Sequence, residues 1–152
     1  MRRNCALKTS VRAFARCESG TSVVEFAVVL PLLALVLTGL IDFGRYTYDG
    51  ILAANAARAA VQYGAQNLEK AADTAGMQSA GLTDAKNLPG LTVTATPYCV
   101  INGSVAASCT AAGAVAYVKV VASGVFSPLV KYPGVPSSVT VTGSAIMRVE
   151  NQ

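Results

Sequence analysis

An apolar run near the amino terminus decides which class of protein this chain can belong to. Residues 23–41 read VVEFAVVLPLLALVLTGLI, in which Glu25 is the one charged side chain. About 20 apolar residues in a helix span the hydrocarbon core of a bilayer. A core helix of a soluble protein is disfavoured, because an all-round apolar helix needs cover that the rest of this chain is too small to give. A secretory signal peptide is disfavoured because the following residues, IDFGRYTYDG, lack a small-residue cleavage site. We therefore predict a transmembrane helix over residues 21–45.

The net charge of +4 lies entirely ahead of this run. Residues 1–20 carry five basic side chains and Glu18, which gives +4, whereas residues 21–152 carry seven basic and seven acidic side chains. Positive charge before a membrane helix predicts a cytoplasmic leader at 1–20 and an extracytoplasmic remainder. A nucleic-acid partner is not expected, because such proteins spread basic residues over a folded face.

The composition excludes several kinds of active site. Histidine is absent, so Ser-His-Asp and Cys-His catalysis and imidazole metal sites are impossible. No nucleotide-binding motif is present, and nothing points to hydrolysis by paired carboxylates. We predict a protein that is not an enzyme and that holds no cofactor and no metal.

The helical pattern continues beyond the predicted membrane boundary. Good helix formers fill residues 46–67, so we expect one helix from Thr21 to about Asn67 and an exported helical region over 46–86. One face of this region has only very small side chains, which recur every three or four residues: Ala53, Ala56, Ala57, Ala60 and Gly64. Such a face fits close packing either against neighbouring helices or against the chain's own sheet.

The remaining residues, 87–152, alternate with a period of two and predict a small antiparallel β domain. Strands are expected at 91–96, 114–122 and 137–149, with a proline-rich connection at 126–136. So small a sheet is marginal alone, so one face should pack on the exported part of the long helix. The predicted fold class is α+β: a long amino-terminal transmembrane helix continuing into a small antiparallel sheet.

The four cysteines fall into two pairs. Cys5 and Cys17 lie in the leader, where thiols stay reduced, whereas Cys99 and Cys109 bracket a loop on the predicted oxidising side. We favour a Cys99–Cys109 disulfide over a zinc site, because two thiolates without histidine make a poor zinc shell.

The junction of leader and helix reads CESGTSVVEF, residues 17–26. It resembles the class III leader of prepilins: a basic leader, Gly20, then Thr21 as first mature residue, Glu25 as the fifth and Phe26 as the sixth. This resemblance implies cleavage between Gly20 and Thr21. Glu25 then lies one turn from the new amino terminus, where its carboxylate can pair with an ammonium group during assembly. The alternative is a shallow charge at the membrane interface.

The likeness extends through the helix. VVEFAVVLPLLALVLTGLIDFGRY, with Pro31 inside the helix, resembles the TadE-like pseudopilins of the Tad (Flp, tight adherence) pilus system. The segments AARAAVQYG and FSPL are also similar to that family. Pro31 lacks an N–H and should kink the helix. Asp42 and Arg45 are expected to form an interfacial ion pair without a special function.

The resemblance implies a minor pilin or pseudopilin that serves adhesion or secretion as a structural and assembly component. Its partners would be a prepilin peptidase, other pilins and pseudopilins, the Tad assembly platform and membrane lipid. The protein would cross the inner membrane once. The resemblance does not decide whether the subunit enters the filament. The competing hypothesis is an uncleaved single-pass membrane protein with a small extracytoplasmic domain that binds a partner.

Overall fold

A computed structural model describes residues 21–106, 109–110, 112–131, 134 and 136–150. The predicted leader, including Gly20, Cys5 and Cys17, lies outside the described residues. Three helices precede four strands: α1 (Thr21–Gly64), α2 (Leu68–Ala72), α3 (Thr74–Asp84), β1 (Thr92–Ile101), β2 (Ser104–Ala106), β3 (Val115–Phe126) and β4 (Val139–Arg148). The predicted α+β class, a long apolar helix followed by an antiparallel sheet, is confirmed. The chain divides into two compact units, Met1–Leu40 and Ile41–Gln152.

The first unit, where the structure describes it, is the amino-terminal part of α1. Large apolar side chains are exposed on all sides of this helix, among them Phe26, Leu32, Leu33 and Leu37. Its most apolar window buries none of its residues. This amino-terminal part of α1 therefore gains nothing from burial against its own chain.

The second unit contains an antiparallel sheet in the order β2-β1-β3-β4. We expected about three strands, and the additional one is β2, which pairs with the end of β1 from Cys99↔Ala106 to Ile101↔Ser104. The two residues between these strands, Asn102 and Gly103, both have positive φ, of 50° and 82°. Asn-Gly at such positions is the strongest short-range signal for a two-residue hairpin.

Two strands are longer than the alternating pattern predicts. β1 runs through Pro97 to Ile101, and β3 continues to Phe126. β2 pairs only with residues 99–101 of β1, so β1 is an edge strand at Pro97 among the described residues. Proline is tolerated at an edge because the ladder loses no hydrogen bond there.

The helical region before the sheet is divided by capping side chains. α1 ends at Gly64, short of the expected Asn67, because Asn67 has extended backbone and caps α2 by accepting from the Lys70 N–H at 2.8 Å. Asp73 likewise caps α3, accepting from the Gly76 N–H at 2.8 Å. Side-chain acceptors of this kind satisfy the free N–H groups of a new helix.

The core lies between one face of the sheet and the small face of α1. Ala53, Ala56, Ala57 and Ala60 are 0% exposed and share a cluster with buried residues of β3 such as Val118 and Val120. A Cβ added to Gly143 on β4 would overlap the backbone of Ala53 and Ala54. Of the two interpretations of the small face, packing on the chain's own sheet is the one the structure adopts.

Candidate functional site

The residues that the prepilin resemblance singles out occupy the first turns of α1. Thr21 is the first described residue, and Glu25 and Phe26 follow it with exposed side chains. Residues four apart on a helix lie on one face, about 6 Å apart along the axis. The described residues include no ion-pair partner for Glu25. Its carboxylate is therefore available to a charge from outside the described fold, and its role stays a prediction.

Pro31 lies inside α1, which continues through it. Proline has no N–H, so the carbonyl of Ala27, four residues earlier, lacks its usual helical donor. A free carbonyl in an apolar setting favours a local adjustment of the helix. The predicted kink stays a prediction.

The apolar run is the surface most in need of a partner. One helix in the part of the chain that the structure describes is long and apolar enough to cross a membrane, with a mean hydropathy of 2.5. Its side chains over residues 23–37 are exposed throughout. Burial of such side chains is worth roughly 1.5–3 kcal/mol each for Val, Leu or Phe, so leaving the whole run in water is untenable. The helix indicates a single-pass membrane protein.

Asp42, directly after this run, does more than pair with Arg45. The ion pair is present, with Arg45 Nη1 3.1 Å from Asp42 Oδ1. In addition, both carboxylate oxygens accept from the backbone N–H of Leu129, at 3.0 and 3.1 Å. Asp42 is 7% exposed, which makes it the one buried charged residue of the described chain. The carboxylate ties the connection after β3 to α1.

Aromatic and cationic groups surround this tether. The Tyr46 and Phe126 rings meet edge to face with centroids 5.6 Å apart, and the Arg45 guanidinium lies 5.5 Å from the Phe126 centroid. Both contacts join α1 to the end of β3. Edge-to-face rings and cations over ring faces are each favourable by about 0.5–1.5 kcal/mol. The two segments, FGRY and FSPL, that carried the family resemblance thus lie against each other.

The structure joins Cys99 and Cys109 in a disulfide, with Cα atoms 5.4 Å apart. The bridge closes the loop that contains β2 and uses both thiols, so neither is free for the alternative zinc site. Beside it, the rings of Tyr98 and Tyr117 stack with centroids 5.7 Å apart. A groove of about 540 Å³ next to the bridge has no charged side chain in its lining. Nothing in that lining supports catalysis.

A second polar contact stabilises the turn between α2 and α3. The Tyr63 hydroxyl donates to Asp73 Oδ2 at 2.9 Å. Together with the Gly76 N–H, this donor lowers the pKa of Asp73, because both bonds favour the ionised carboxylate. The same hydrogen bond raises the pKa of Tyr63, since the phenol must keep its proton to donate it.

The comparisons with known proteins concern the amino-terminal part of the chain. Residues 20–62 match a family model described as TadE-like protein. No curated protein matches the chain, and no solved structure does. The matched residues include Gly20, the apolar run, Asp42 and most of the small face that packs on the sheet. Residues 20–62 are therefore similar to TadE-like proteins, and the family model supports the resemblance that the sequence shows over that part of the chain.

Proposed function

We propose that this protein is a pseudopilin, or minor pilin, of a Tad pilus: a structural and assembly subunit held in the inner membrane by α1. The TadE-like match associates the chain with that pilus in general terms. The observation that carries the finer proposal is the wholly exposed apolar surface of residues 23–37, adjoining the Gly20–Thr21 junction. A helix of this kind fits the membrane before assembly and a bundle of like helices after it.

Processing is the first step of this function. Cleavage after Gly20 by a prepilin peptidase requires an unwound backbone in the protease cleft, which glycine permits. Co-expression with the cognate peptidase should lower the intact mass of the membrane-extracted protein by the mass of residues 1–20. Gly20→Leu should abolish this change. Gly39→Leu is the matched control, because nothing in the described fold lies within 4 Å of a Cβ at Gly39.

An uncut chain in the presence of active peptidase would contradict the proposal. It would favour an uncleaved single-pass protein whose folded unit binds a partner outside the membrane. A second substrate of the same peptidase, processed in the same cells, shows that the enzyme is active.

Assembly is separable from processing at Glu25. Glu25→Ala does not alter the cleavage site, which lies about one turn away. We therefore expect the variant to be cleaved and the mature protein to accumulate in the membrane. It should then fail to co-purify with other pilus subunits, because a docking ammonium group loses its countercharge in a low-dielectric setting. Glu25→Asp keeps the charge on a shorter arm and should retain part of the assembly. Normal piliation in cells whose sole copy carries Glu25→Ala would show that this glutamate is only an interfacial charge.

The proposed orientation places residues 46–152 outside the cytoplasm. The positive leader and the Cys99–Cys109 bridge support it, because disulfides persist in oxidising compartments. Val105 on β2 is 74% exposed and serves as a topology probe. In a chain whose leader cysteines, Cys5 and Cys17, are replaced by serine, Val105→Cys should react with a membrane-impermeant thiol reagent added to spheroplasts. If the Val105→Cys variant were labelled only after lysis, the folded unit would lie on the cytoplasmic side, which would contradict the proposed orientation.

A further inference from the structure

We propose that the connection after β3 is a second membrane contact: Leu129 and Val130 enter the interfacial layer of the bilayer that α1 spans. The partner is the phospholipid surface itself. The inference rests on the proposed membrane insertion of α1 and adds to it a lipid contact made by the folded unit. We call residues 127–131, SPLVK, the anchor loop.

The tether to Asp42 sets the height of the anchor loop. Asp42 follows Ile41, the last residue of the apolar run. Leu129 donates its N–H to both oxygens of the Asp42 carboxylate, so its backbone lies within hydrogen-bond distance of that side chain. Helical side chains lean towards the amino terminus, which here is the membrane side. The anchor loop therefore lies at the predicted end of the membrane span.

The loop presents apolar side chains where a water-exposed loop would present polar ones. Leu129 is 62% exposed and Val130 is 45% exposed, although the adjacent Phe126 is buried. On α1, Phe43 and Tyr46 follow Asp42 closely in the chain and are also exposed. Aromatic side chains beside a membrane span favour the headgroup layer. Leu129 and Val130 thus add exposed apolar side chains beside the exposed aromatic residues Phe43 and Tyr46 of the same folded unit.

The charges near the loop suit phospholipid headgroups. Lys131 follows the apolar pair and is exposed, so it supplies the net positive charge of the loop, whereas Arg45 and Asp42 form an ion pair with no net charge. The nearby carboxylate, Asp42, is buried and already paired with Arg45 and Leu129, so it does not repel anionic lipid. Apolar side chains with a cationic rim bind at membrane interfaces to a depth of about 5–10 Å. The tether of the loop to Asp42, which directly follows the apolar run in the chain, favours lipid over a protein partner.

The absence of tryptophan from the chain allows a direct test. Leu129→Trp introduces a single tryptophan, which can be excited apart from the six tyrosines, and it keeps the backbone N–H that binds Asp42. The full-length protein, reconstituted in phosphatidylglycerol-containing vesicles, is compared in lipids brominated near the headgroup and lipids brominated near the methyl end. Two matched reporters are Leu33→Trp, within the apolar run, and Val105→Trp, on β2.

We expect bromine near the headgroup to quench most of the Leu129→Trp emission, and bromine near the methyl end to quench less. Leu33→Trp should show the opposite order, and Val105→Trp should be quenched by neither. Val130→Trp repeats the test at the next residue if Leu129→Trp does not fold.

Two results would overturn the inference while the membrane span stands. One is quenching of Leu129→Trp no greater than that of Val105→Trp, with Leu33→Trp quenched. The other is Leu129→Trp emission that is blue-shifted but not quenched, and whose blue shift is lost when the protein is diluted in lipid. That result would show that the loop contacts a second copy of the chain. Absence of quenching at Leu33→Trp refutes the membrane span itself, and the inference falls with it.

Discussion

α1 approaches β4 closely at Gly143, and Gly143→Ala tests this contact. A methyl group at this position would overlap backbone atoms of Ala53 and Ala54. Backbone cannot rotate away as a side chain can, so α1 must move off the sheet. That movement would loosen the contacts of Ala56 and Ala57, which are 0% exposed.

The size of the effect follows from two opposing contributions. Overpacking of a well-packed core lowers the free energy of unfolding by about 1–3 kcal/mol. Replacing glycine with alanine in a strand raises it by about 0.5–1 kcal/mol, chiefly by restricting the unfolded chain. The backbone clash leaves little room for relief, so we expect a net loss of about 1–2 kcal/mol. In a unit of about 100 residues this lowers the melting temperature by roughly 4–8 °C or more.

The assay is thermal unfolding of the purified full chain in detergent micelles, followed by near-UV circular dichroism. This signal comes from tyrosines such as the stacked pair on β1 and β3, so it reports the folded unit rather than the membrane helix. Gly50→Ala is the matched control, because nothing in the described fold lies within 4 Å of a Cβ there. The control should be neutral or stabilising by up to about 1 kcal/mol. A Gly143→Ala protein that melts with the wild type would refute the close approach.

Three further changes test the polar contacts and the bridge. Asp42→Ala leaves the Leu129 N–H without its acceptor and should destabilise the unit by about 1–3 kcal/mol, with faster amide exchange at Leu129; unchanged exchange would argue against the tether. The lowered pKa of Asp73 means that its contribution is complete above the ordinary carboxyl pKa, about 4, and is lost as the pH falls through the lowered value. Asp73→Asn should therefore weaken the acid-induced loss of helix seen by circular dichroism, and an identical acid transition would count against this sign. Reduction of the Cys99–Cys109 bridge should destabilise by up to about 3 kcal/mol, and free labelling of both native thiols would exclude the bridge.

The class of fold was accessible from the sequence because each half of the chain has a clear period. Alternating Val and Thr near 93 and 140 predicted two strands that the structure contains. β2 was not predicted because its three residues, Ser104–Ala106, are too few to show a period. Its one signal in the sequence was the Asn102-Gly103 turn, which is not part of the alternating pattern from which the strands were predicted.

The end of β3 was misjudged for a different reason. The alternating pattern predicted a strand that stops at residue 122, and the three prolines within residues 126–136 predicted a connection there. In the structure Gly124 lies beneath Leu88, and a Cβ there would overlap the Leu88 side chain. The glycine therefore makes room for a buried side chain inside the strand rather than ending it.

The polar tether at Asp42 lay beyond the reach of sequence reasoning. The sequence predicted its partner Arg45, three residues away, because helical neighbours follow from spacing. The other partner is a backbone N–H 87 residues along the chain. Every residue except proline offers that donor, so no residue type marks it.

The small face of α1 shows why one pattern supported two interpretations. Close approach requires small side chains whether the neighbour is a helix or a sheet, so the alanines alone do not identify the neighbour. The complementary feature is Gly143, a residue on β4 that allows the helix backbone to touch the strand. Because the alanine face packs on the sheet, the subunit contacts of α1 that we propose must use other residues. The longest exposed apolar segment of α1 is the run at 23–37, which is therefore the surface that the proposed function assigns to those contacts.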